Sequence, residues 1–224
     1  QIRCVAAPVR EPLAGGAFTP VALDPDAPAL IQFTSGSTQA PKGVVLTHRQ
    51  LLANLAALAA VVPCQPGEAV VSWLPLYHDM GLIGMMLLPL WLDLQLVLMP
   101  PTAFLLDAKR WLHAISRHRA VISTAPNFAY QLVANRLQDP ELAGLDLSAW
   151  RVAYSGAEPC LPTTHAAFAA RLQPWGFDAA AFRPIYGLAE MAVGVAFAPA
   201  DAVDAVDAAA LEAEGVARPG TDRG

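Results

Sequence analysis

Residues 33–44 read Phe33-Thr34-Ser35-Gly36-Ser37-Thr38-Gln39-Ala40-Pro41-Lys42-Gly43-Val44, between two short apolar runs. Thr34, Ser35, Ser37 and Thr38 bring four hydroxyls within five residues. Gly36 permits positive φ and a close backbone approach. Lys42 adds a cation, and the chain of 224 residues has one other lysine, Lys109. Hydroxyls, exposed N–H groups and a lysine together suit a polyphosphate. A Ser/Gly turn closing a hairpin is the plain alternative. Pro41-Lys42-Gly43 closing the same loop, in so lysine-poor a chain, favours phosphate. The loop is not a Walker A motif. Pro41 stands before the lysine, Gly43 after it, and a strand rather than a helix follows.

Outward from this loop, short β-type runs alternate with longer helical ones. Strands are expected at 30–33, 44–46, 69–73, 94–99, 121–123 and 152–154. Helices are expected at 48–62, 79–91, 107–117, 127–137 and 162–172. Thr47 and Gln50 form a capping box ahead of the first helix. Alternating strands and helices predict an α/β fold, a parallel-rich sheet covered on both faces. Ligands bind such sheets at the carboxyl ends of the strands. Residues 1–28 hold five prolines and read as an irregular entry. Residues 199–224 are rich in Ala, Asp, Glu and Gly, with a short helix expected at 207–214.

Composition narrows the function. The chain is 55% hydrophobic and 15% charged, with a mean hydropathy of +0.40. That excludes a disordered tail. A net charge of −5 offers no basic surface for a nucleic-acid backbone. The longest uncharged apolar run, Met80 to Leu92, is interrupted by Pro89 and followed by Asp93. It falls short of the roughly 20 residues of a spanning helix, so no transmembrane segment is expected. No secretory signal is expected from Gln1 onward. Cys4, Cys64 and Cys160 are scattered, without metal spacing or a disulfide framework, which suits the reducing cytosol.

Three further motifs follow expected strands: Trp73-Leu-Pro-Leu-Tyr-His78-Asp-Met-Gly81, Ser155-Gly156-Ala157-Glu158-Pro159 and Tyr186-Gly187-Leu-Ala-Glu190. Each has a plain reading: a core histidine, a strand-to-helix turn begun by Pro159, a turn with a solvated acid. Together with the loop at 33–44, in this order, they resemble the adenylate-forming superfamily. Within it they resemble most the fatty acyl-AMP ligases. The resemblance runs from about Leu30 to Phe197. Two positions depart from the commonest superfamily pattern: Gln39 stands for Gly, and Ala189 for Thr. Ala189 agrees with the fatty acyl-AMP ligase version.

The resemblance implies ATP and Mg²⁺ as cofactors and a fatty acid as substrate. An acyl carrier protein or a polyketide or peptide synthase is the acceptor it implies, with CoA left open. By it, Thr34, Ser35, Gly36, Ser37, Thr38, Lys42 and Gly43 hold phosphate. Gly156, Ala157 and Glu158 read the adenine edge. Tyr186, with Gly187 beside it, stacks on the base, Glu190 ligates Mg²⁺, and His78 lies beside the carboxylate. Lys42, His78 and Glu190 are the implied catalytic set. The helices at 80–92 and 127–137 are expected to line an acyl tunnel. Residues 29–198 are expected to form the AMP-binding core, and 199–224 the start of a ligase-type insertion. The adenylating lysine of the family lies on a small C-terminal domain not contained in these residues. Lys109, on an amphipathic helix, does not take that role. The 224 residues alone are therefore expected to make little adenylate. An acyl-CoA synthetase, an amino-acid adenylation domain and a non-catalytic nucleotide-binding fragment remain alternatives.

Overall fold

The computed structural model describes residues 21–34, 42–199 and 202–220. It opens with a hairpin, β1 (Pro28–Phe33) paired antiparallel with β2 (Gly43–Thr47). Both strands were expected in the parallel pattern. They pair instead antiparallel with each other, Phe33 opposite Gly43. Thr34 N–H donates to Lys42 O at 3.0 Å, and Lys42 N–H to Thr34 Oγ1 at 3.3 Å. Leu46 and Gln32 point inward and are buried, while Ile31, Phe33 and Val45 face outward.

Helix α1 (His48–Val61) starts at the expected capping box. Thr47 Oγ1 accepts from Gln50 N–H, and the Gln50 side chain accepts from Thr47 N–H at 2.9 Å. The central sheet then assembles from β3 (Ala69–Ser72), β4 (Gln95–Leu98), β5 (Ile122–Ala125), β6 (Val152–Ser155), β7 (Phe182–Gly187) and β8 (Gly194–Phe197). Its order is β4-β3-β5-β6-β7-β8. All neighbours run parallel except β8, which returns antiparallel on β7. β3, β5 and β6 are buried along their whole length, as strands covered on both faces should be.

The expected helix at 79–91 divides in two. Residues Met80–Leu87 form a π-helix, followed by α2 (Leu88–Trp91). Pro89 has no N–H for a regular helical bond at that turn. The helix expected at 107–117 is α4 (Lys109–His118); a short helix not expected from the sequence, α3 (Pro101–Leu106), precedes it, the two separated by an extended Asp107. Arg119, left-handed with φ 49°, ends α4. α5 (Asn127–Arg136), α6 (Asp139–Leu142), α7 (Pro162–Leu172) and α8 (Ala208–Glu214) complete the set. α7 begins at Pro162, not at Pro159.

Pleating divides the helices between the two sheet faces. Trp111 of α4 donates to Ser123 Oγ at 2.8 Å, and Ser123 donates to Val71 O at 2.7 Å. On that face Trp111 packs edge-on against Tyr130 and Trp150, and Tyr130 against Phe168. Thr124, next along β5, points the other way and donates to Met85 Sδ of the π-helix at 2.9 Å. α1, the π-helix and α2 thus lie over the second face. No helix among the described residues is long and apolar enough to cross a membrane.

Candidate active site

On that second face lies a cavity of about 600 Å³. Sites for small molecules usually hold roughly 300–1,000 Å³. Its floor is the sheet, through Val70, Ile122, Thr124 and Tyr154. Leu58 and Val62 form a wall from α1 and the residue beyond it. Met80, Gly84, Met85, Leu88 and Leu92 form the opposite wall. Met80, Gly84 and Met85, four and five residues apart, come from the π-helix, and Leu88 and Leu92 from α2 and its C-cap. α5, expected as a tunnel wall, contributes no lining residue. It packs against α7 on the opposite side of the sheet, with Tyr130 donating to Tyr154 O at 2.7 Å.

The mouth gathers residues at or just beyond the carboxyl ends of β1, β3, β6 and β7. Thr34, Tyr77, His78, Ala157, Tyr186, Gly187 and Glu190 all line it. Five of the expected site positions beyond Thr34 thus converge on one opening. Gln32, not singled out in the sequence, holds two of these loops together. It is buried beneath the mouth and donates from Nε2 to Tyr77 O at 2.9 Å. Its apolar neighbours in β1 gave no sign of that role. Asn54 does the same between α1 and β8, donating to Gly194 O at 3.0 Å.

His78 has a close partner. Asp79 Oδ1 lies 2.7 Å from His78 Nδ1. Met80 N–H is 2.6 Å from Asp79 Oδ1 and 3.2 Å from His78 Nδ1. The shorter contacts fix the assignment. Nδ1 carries a proton donated to Asp79, Met80 N–H also donates to Asp79, and Nε2 makes no hydrogen bond among the described residues. The hydrogen bond to Asp79 raises the His78 pKa above its usual 6.5, against the opposing effect of burial. Asp79 itself is buried and so screened from water.

The other expected positions divide. Gly156 does not line the cavity. A Cβ there would stand 2.7 Å from Ile185 Cγ1 and 2.9 Å from Ile185 O, so the close approach of β7 demands glycine. At Gly187 a Cβ would stand 1.8 Å from Val193 O. Ala157 is left-handed, with φ 67°, and faces the mouth. The Glu158 carboxylate accepts from Phe128 N–H at 2.6 Å, in the first turn of α5, so one oxygen is engaged there. Tyr186 is 62% exposed, its ring free to meet a flat partner. Glu190 sits exposed on a 3₁₀ turn, Ala189–Met191. A γ-turn follows, Ala192 at φ 67°, ψ −66°, with Val193 N–H donating to Met191 O at 2.9 Å. Such backbone is strained and gathers at functional sites. Lys42 lies beside Thr34 through their two hydrogen bonds, but neither Lys42 nor Gly43 lines the cavity. Ser35, Gly36, Ser37 and Thr38 lie outside the described residues. Lys109 is 3.7 Å from both Asp107 and Glu141, a structural bridge on the other side of the sheet.

Fold and cavity together define an α/β small-molecule-binding domain with its site at the strand carboxyl ends. The chain belongs to the AMP-binding enzyme family, whose model matches residues 5–222. A medium-chain-fatty-acid–[acyl-carrier-protein] ligase of Teredinibacter turnerae is 43% identical over 166 residues, 74% of this chain and 26% of that protein. A 4-hydroxyphenylalkanoate adenylyltransferase of Mycobacterium tuberculosis is 42% identical over 189 residues, 81% of this chain and 30% of that protein. The crystal structure of a Legionella pneumophila fatty acyl-adenylate ligase, in complex with acyl adenylate and pyrophosphate, superposes with a TM-score of 0.78. It is 39% identical and covers 82% of this chain and 32% of that one. The chain therefore spans about a third or less of the length of these relatives.

Proposed function

We propose that this chain forms the acid- and nucleotide-binding core of a ligase that activates a fatty carboxylate. The acid and ATP would give an acyl-adenylate and pyrophosphate, and the acyl group would pass to an acyl carrier protein. One observation carries the reading: an apolar cavity opens under a mouth that bears Thr34, His78, Tyr186 and Glu190. An apolar tail fits the first and an anionic headgroup the second. The names of the relatives above support the same substrates.

The chemistry needs no base. A carboxylate oxygen bonds to the α-phosphorus, the bond from that phosphorus to the bridging oxygen breaks, and pyrophosphate leaves with the electron pair. The barrier is charge crowding, so alignment and electrostatics do the catalytic work. His78, biased toward the cation by Asp79, would hold the carboxylate beside the reacting phosphorus. Tyr186 would stack on the base, and Thr34 and Lys42 would clamp the two ends of the phosphate loop. No three His, Cys, Asp or Glu gather as a metal group among the described residues. A lone exposed Glu190 fits Mg²⁺, which is commonly held by one or two carboxylates and substrate phosphates. Bound there, the ion would neutralise phosphate charge.

We assign residues 29–198 to the AMP-binding core and 199–224 to the start of a ligase-type insertion, with the adenylating lysine on a domain outside these residues. The scattered cysteines support a cytosolic setting. The test is fatty-acid-dependent ATP–pyrophosphate exchange by the full chain as expressed from its gene, with hydroxylamine to trap the adenylate. Exchange is expected, and expected to fall when Lys42→Ala or Glu190→Gln is introduced. No exchange with any acid, or exchange indifferent to both substitutions, overturns the reading. Thioester formation on adding CoA would assign a CoA ligase instead.

A further inference from the structure

We infer that Gln32 is a positioning residue: its buried amide ties the phosphate loop to the Tyr77–His78 loop and so holds the two substrates in line for reaction. The inference rests on the acid-activation reading above and adds a residue to it.

The two groups that must meet are anchored on separate sheets. The polyphosphate falls to the loop carried by the β1–β2 hairpin, and the carboxylate to His78, beyond β3 of the central sheet. Among the described residues, neither hairpin strand pairs with the central sheet. Gln32 bridges that gap. Its Nε2 donates to Tyr77 O at 2.9 Å, between residues 45 positions apart. Its contact with Phe33 O, at 3.5 Å, is local and weak. Among the described residues, the bond to Tyr77 is the only hydrogen bond from the hairpin strands, Thr34 or Lys42 to any segment beyond α1. It acts close to both substrates. Thr34 lies two positions along from Gln32, the period of a strand face, and His78 is the residue after Tyr77.

Gln32 is 7% exposed. An amide at a buried strand position is favourable only where it finds a partner, and an apolar side chain fills the facing strand's interior at Leu46. Elsewhere the hairpin is held by packing, against α1 and beside the Ala189–Met191 turn. Apolar packing is non-directional, whereas a hydrogen bond is directional and, when buried, costly to leave unmade. The Gln32 bond therefore restrains what packing leaves free, the register of the phosphate loop against the acid-site loop. Adenylation depends on that register, because the carboxylate oxygen must approach the α-phosphorus in line with the departing pyrophosphate. A misplacement of about 1 Å in such a reaction costs on the order of a hundredfold in rate.

The test is rapid-quench measurement of adenylate formation by the full chain as expressed from its gene. ATP, Mg²⁺ and the straight-chain alkanoic acid that the wild type exchanges fastest are supplied at saturation. The amplitude of the trace counts active sites, and its rate constant reports the bond-making step. Gln32→Met keeps the buried volume and removes the donor. Its amplitude should match the wild type, and its KM values for ATP and acid should stay within about threefold, while the rate constant and kcat fall about tenfold or more. An unchanged rate constant overturns the inference. A lost amplitude at an unchanged rate constant marks a purely structural role and overturns it too. A raised KM with kcat held makes Gln32 a binding contact and overturns it equally. Each of these leaves acid activation intact. Exchange by the wild type with no acid overturns the activation reading and this inference with it. Should Gln32→Met fail to fold, the same readings on Gln32→Glu decide, since Glu keeps the shape and sets an acceptor against the Tyr77 carbonyl.

Discussion

At the scale of single residues, the site is built by neighbours as much as by the groups that face the ligand. His78 stands out in the sequence, but its character comes from Asp79, one position on. Replacing Asp79 by Asn keeps an acceptor for Met80 N–H and removes the charge that holds the His78 proton. The His78 resonance should then titrate at lower pH in the variant than in the wild type when followed by NMR. The linked stability has a definite sign. A raised histidine pKa stabilises the fold fully below about 6.5, and the effect is lost as pH rises through the folded value. The stability gap between wild type and Asp79→Asn should therefore be widest in mild acid and close toward alkaline pH. A gap that widens toward alkaline pH would refute the pairing. Gly156 is constrained from another direction. The sequence places it in a nucleotide-binding turn, yet what excludes a side chain there is Ile185 on the next strand. Gly156→Ala must displace β7, at a cost of about 1–3 kcal/mol by analogy with overpacked cores. A lowered melting temperature checks this. An unchanged one would mean that β7 yields freely.

Elements differ in how plainly the sequence announces them. α1 is legible because its start is written in two side chains, Thr47 and Gln50, that satisfy each other's backbone. The buried strands are legible because each is a short run of apolar and small hydroxyl residues between turns. α3 is hard to read although Pro100-Pro101 marks its start, because it is only six residues long and is followed by an extended Asp107. The π-helix could not be read at all. Met80–Leu87 is apolar all round, so no periodicity separates its width from that of an ordinary helix. The hairpin was hidden for a related reason. β1 and β2, Gln32 and Thr47 apart, carry apolar residues on both faces, which imitates buried parallel strands. Because α1 carries Leu58 to the cavity wall, its cap matters to the site. Thr47→Ala should cost about 1 kcal/mol of stability. A chemical denaturation midpoint shifted downward with unchanged slope would confirm it, and an unchanged midpoint would show that tertiary contacts alone hold the helix start.

On the scale of the whole molecule, the order of the motifs was the most informative signal: three follow parallel strands of one sheet to the same edge, and the β1–β2 hairpin brings Thr34 to the same mouth. What the sequence could not supply was the cavity, which arises from residues far apart: Val70, Thr124, Tyr154 and Met85 share no local pattern. The same distinction governs the hairpin's outer face. Ile31 and Val45 are cross-strand partners, and with Phe33 they are 56%, 51% and 64% exposed. Three adjacent large apolar groups on a two-stranded ribbon are an association hazard, for such ribbons are marginal alone and their edges recruit further strands. The 224 residues expressed by themselves should accordingly self-associate and bind a hydrophobic dye. Replacing Ile31 and Val45 together by Thr retains β-branched side chains and removes the apolar face. That pair should lower dye binding and restore a single sedimenting species. If association persists unchanged in the double variant, the sticky surface lies elsewhere, with Tyr77, 83% exposed at the cavity mouth, the next residue to replace.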